Sequence, residues 1–71
     1  MRRQVDDHLA RAKKDLDRVD PKDLKPAARS QYDTAKQFIA QAEQARAEGN
    51  LVFAVKVAEK AAGLAASLHI R

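Results

Sequence analysis

The stretch "GNLVFAVKVAEKAAGLAASL" (residues 49–68) decides the fold. Wound as an α-helix from Leu51, it sets Leu51, Ala54, Ala58, Ala61, Ala65 and Leu68 on one stripe at steps of three and four. Phe53, Val57 and Leu64 form a second stripe that shares Leu68. Lys56, Glu59, Lys60, Gly63 and Ser67 make up the only polar strip. A helix that is apolar on two sides has to be covered on two sides. The rest of the chain must supply both covers, or a partner must supply one.

Two upstream segments have the required pattern. Ala28, Tyr32, Ala35, Ile39, Ala42 and Arg46 recur at steps of four and three, with Phe38 beside them. Pro26 suits the first position of this helix, where its missing N–H costs nothing. Gly49-Asn50 closes it, glycine being the residue best suited to the left-handed conformation just past a helix C-terminus. So short a turn sends the next helix back antiparallel. Nearer the N-terminus, Val5, Leu9, Ala12, Leu16 and Val19 mark an amphipathic helix with a narrow seam. "DPKDLKP" (20–26) ends it, because proline disfavours helical geometry in the residue before it. Leu24, the one large apolar residue of that connection, is expected to plug one end of the bundle. Three seams of one period predict an all-α, antiparallel (up-down-up) three-helix bundle, a single domain over 1–71, with helices near 3–19, 26–48 and 51–69.

Composition narrows the function classes. The chain has no cysteine, which excludes disulfides, thiolate metal sites and cysteine nucleophiles. No run approaches the ~18–20 apolar residues of a membrane span, so membrane insertion is not expected. "MRRQVDDHLARAKK" has no apolar core of signal-peptide kind, and the chain reads as soluble, with no compartment specified. The net charge is +4, but residues 1–29 hold nine basic and six acidic side chains and residues 30–71 hold five and four. The signs are interleaved, so no broad single-sign field builds up.

Residues with chemical potential are scattered. Asp7 and His8 are neighbours on a helix and point in different directions, which does not suit a shared metal. His8 reads as a boundary residue beside the Val5–Leu9 seam. His69 reads as a capping or exposed residue near a helix C-terminus. Ser30 and Ser67 have no nucleophile motif around them, and Gly49 and Gly63 cannot make a phosphate loop. Tyr32 sits at a core stripe position with its hydroxyl at the rim. No catalytic residue, cofactor, metal or small-molecule substrate is expected, and the chain reads as non-enzymatic.

The expected role is therefore contact. Alanine supplies much of the seams, and an alanine methyl contributes far less than a buried Leu or Phe at about 1.5–3 kcal/mol. Self-association, or docking on another helical protein, would offset this weak core. The candidate interface is the second stripe of the third helix: Phe53, Val57, Leu64 and Leu68. A different class of function, nucleic-acid binding, would use Arg18, Lys22, Lys25 and Arg29 as phosphate contacts. Asp20 and Asp23 lie among them, and no aromatic residues flank them for base stacking.

The hairpin 32–66 resembles a tetratricopeptide-type helical hairpin. Ala42, Gly49, Ala54 and Ala61 match its small-residue positions, and Phe38 falls where the motif carries a large aromatic. "EGNLVFAVKVAEKA" (48–61) is similar to the motif's second half. Gln41 and Ala45 depart from it, as does Ala66 in place of the closing proline. The resemblance implies protein–protein contact. A peptide groove needs three or more stacked repeats, so no binding residue is carried over. The chain is also similar to alanine-rich helical regions of uncharacterised bacterial envelope proteins, which implies a bacterial source and no particular activity.

Overall fold

The computed structural model describes residues 2–69, His69 by its backbone alone. It is a three-helix bundle of 36 × 16 × 14 Å, with α1 over Arg2–Asp17, α2 over Pro26–Ala47 and α3 over Leu51–His69. A single 3-10 turn, Pro21–Asp23, interrupts the α1–α2 connection. The described residues contain no strand, and none of their helices is long and apolar enough to cross a membrane.

α1 buries Val5, Leu9, Ala12 and Leu16, the seam that the spacing predicts. It stops at Asp17, two residues before the expected end at 19. The Arg18 and Val19 amides donate to the Asp15 and Leu16 carbonyls, three residues back, at 3.3 and 3.0 Å. That tightening is common where a helix ends. Asp20, placed before proline, is extended at φ −90°, ψ 113°. Its carboxylate accepts the Lys22 N–H at 3.0 Å, which fixes the turn. Leu24 is half-buried, while Val19 is the residue of this connection that packs on the core.

The α2–α3 turn is closed at both ends. The Gly49 N–H donates to the Arg46 carbonyl at 3.1 Å and the Asn50 N–H to the Ala45 carbonyl at 2.9 Å, the two bonds of a Schellman motif. That geometry needs a left-handed residue, and Gly49 supplies it at φ +83°. Asn50 also opens α3. Its side-chain oxygen accepts the Phe53 N–H at 3.4 Å and its carbonyl accepts the Ala54 N–H at 3.0 Å.

α3 is the central helix, packed extensively on both α1 and α2, while α1 and α2 touch each other much less. Ala54, Ala58, Ala61 and Ala65 are fully buried. Val57 and Leu68 lie on one side of them and Ala62 on the other, so the buried arc covers about 140° at 100° per residue. Alanine on α3 lets two helices approach it closely at once. Most of the larger core side chains come from the covers, Val5, Leu9 and Leu16 from α1 and Ile39 from α2, with Val57 and Leu68 added by α3. Where α1 and α2 do meet, ion pairs bridge them: Lys13 with Glu43 at 2.5 Å, and Arg46 with Asp6. These pairings run antiparallel, as the up-down-up order requires.

Candidate interaction surface

The structure divides the proposed interface. Val57 and Leu68 are core residues, 5% and 7% exposed. Leu64 is half-buried and packs against the same core. The physical reason is that α2 covers the second stripe of α3 itself. Leu68 faces Ala27, Ala28 and Gln31 across a small 90 Å³ crevice. The Gln31 side-chain amide donates to the Leu64 carbonyl at 3.1 Å. Of the four residues only Phe53 stays open, at 47% exposure, and it is joined by Val52 at 54%.

Phe53 is open because α2 presents no large apolar residue at that level. Gln41, Gln44 and Ala45 of α2, with Glu48 just past its end, Asn50 and Phe53, line an open groove of about 310 Å³. The groove continues onto the outer face of α2, where Gln37, Ala40, Gln41, Gln44 and Ala47 are exposed. The charged residues of α2 are engaged elsewhere. Glu43 pairs with Lys13 and Arg46 with Asp6, both toward α1. Lys36 lies over the Tyr32 ring, 5.6 Å from its centroid. Arg29 pairs with Asp33 at 3.5 Å. What remains between Thr34 and Ala47 is an uncharged strip with an aromatic residue at its edge. Outward-facing α1 residues differ sharply: Arg3, Asp7, Arg11, Lys14 and Asp17 are all exposed and charged.

Sequence reasoning missed Val52, which falls on neither stripe of α3, and it missed the uncharged strip. The signal was present as Gln37, Gln41 and Gln44 at steps of four and three, a seam on the side of α2 opposite its core.

The remaining candidates are dispersed. Arg18, Lys22, Lys25 and Arg29 gather around the α1–α2 connection, where Arg29 also reaches the Pro21 carbonyl at 3.5 Å and Asp20 and Asp23 share the turn. A second groove, about 190 Å³, opens where α1 and α2 diverge, between Lys13, Leu16, Asp17, Tyr32, Lys36 and Ile39. Tyr32 is half-buried on the core edge. His8 is a boundary residue with Nε2 3.9 Å from Glu59 Oε1, linking α1 to α3. Ser30 and Ser67 are exposed. The His69 side chain lies outside the described residues. Among the described residues, no three metal-ligating side chains converge. No family model, curated protein or solved structure matches this chain.

Proposed function

We propose that the protein is a non-enzymatic helical interaction module whose contact surface is the corner formed by Val52, Phe53 and the groove against α2. The observation that carries this reading is the exposure of Phe53, 47%, beside a groove in which only Glu48 is charged. Contact surfaces are enriched in aromatic residues and depleted of charge at their centre, and this corner has both properties. The resemblance of hairpin 32–66 to a tetratricopeptide unit points to the same class of role. The exposed face of α1 is largely charged, which favours contact on the α2–α3 side of the bundle.

A photo-crosslinking residue placed at position 53 tests this reading in cells producing the protein. The same residue at Arg11, on the charged face of α1, is the control. The expected result is a discrete adduct from position 53 and none from position 11. Equal labelling at both positions, or no adduct at 53, would contradict the reading.

A further inference from the structure

We draw no further inference here: the strongest candidate, the groove of about 190 Å³ between α1 and α2 over Leu16, Tyr32 and Ile39, carries none, because Lys13 and Lys36 at its rim are already held by Glu43 and the Tyr32 ring and nothing in the structure shows what covers it.

Discussion

Replacing Ala58 by leucine reports directly on how closely α1 and α2 clasp the central helix. Ala58 is fully buried, as are Ala54, Ala61 and Ala65 along the same seam. Leucine adds three carbons. With room for them, their burial would stabilise the fold by about 2.4 kcal/mol, at roughly 0.8 kcal/mol per methylene. Without room, they force the helices apart at a cost of about 1–3 kcal/mol. The two cases differ in sign, so no fine calculation is needed. The packing of α3 against two helices at this level requires the second case. For a domain of this size each kcal/mol moves Tm by about 4–8 °C, so Ala58→Leu is expected to melt about 8–16 °C below wild type for a mid-range cost of ~2 kcal/mol. Circular dichroism at 222 nm reads this, at low protein concentration to keep association out of the result. Ala10→Leu, on the exposed side of α1, is the control and should stay within ~0.5 kcal/mol of wild type. A melting temperature that rises in Ala58→Leu would refute the close approach and make α3 an incompletely covered helix.

Other perturbations have equally definite signs. The two glycines respond to alanine in opposite directions: Gly49→Ala destabilises by about 1–2 kcal/mol through its positive φ, although a Cβ there meets no atom within 4 Å. Gly63→Ala, in open space inside α3, stabilises by about 0.5–1 kcal/mol, and urea titration of both variants reads the difference. Asn50→Ala removes the side-chain cap of α3 and is expected to cost about 0.5–2 kcal/mol, with Asn50→Asp retaining most of it. The pair Asp6→Ala with Arg46→Ala should cost less than ~1 kcal/mol, since Asp6 is exposed and Arg46 only half-buried, and a double-mutant cycle of melts measures it.

The helices were legible because each seam repeats at one period over its whole length. Val5, Leu9, Ala12 and Leu16 of α1, and Ala35, Ile39 and Ala42 of α2, were read from spacing and are all buried. Proline and glycine located the connections for the same reason: Pro26 begins α2 and Gly49 turns its end. The two stripes of α3 were also legible, and so was the need for two covers. The division of labour between them was not. Spacing offers Val57 and Leu68 as surface for a partner, yet both are core residues, and Leu68 lies beside Ala27, Ala28 and Gln31 of α2. Asn50 read as part of a helix stop, and its second role as the cap of α3 follows from a side-chain direction that spacing does not encode. Likewise the neutrality of the outer face of α2 depends on where Glu43 and Arg46 point. Both turn toward α1, a tertiary choice made by Lys13 and Asp6 from another helix.

The most direct test of the account compares two glutamate substitutions four residues apart on α3. Val57→Glu places an unpaired carboxylate in the core, whereas Phe53→Glu places one at the exposed first turn of a helix, where a negative charge is favourable. Thermal melts of the two variants are expected to show Val57→Glu unfolded or without a cooperative transition, and Phe53→Glu melting at or slightly above the wild-type temperature. Two variants that both fold normally would mean that the second stripe of α3 is open to solvent, and would contradict the arrangement of helices on which everything above depends.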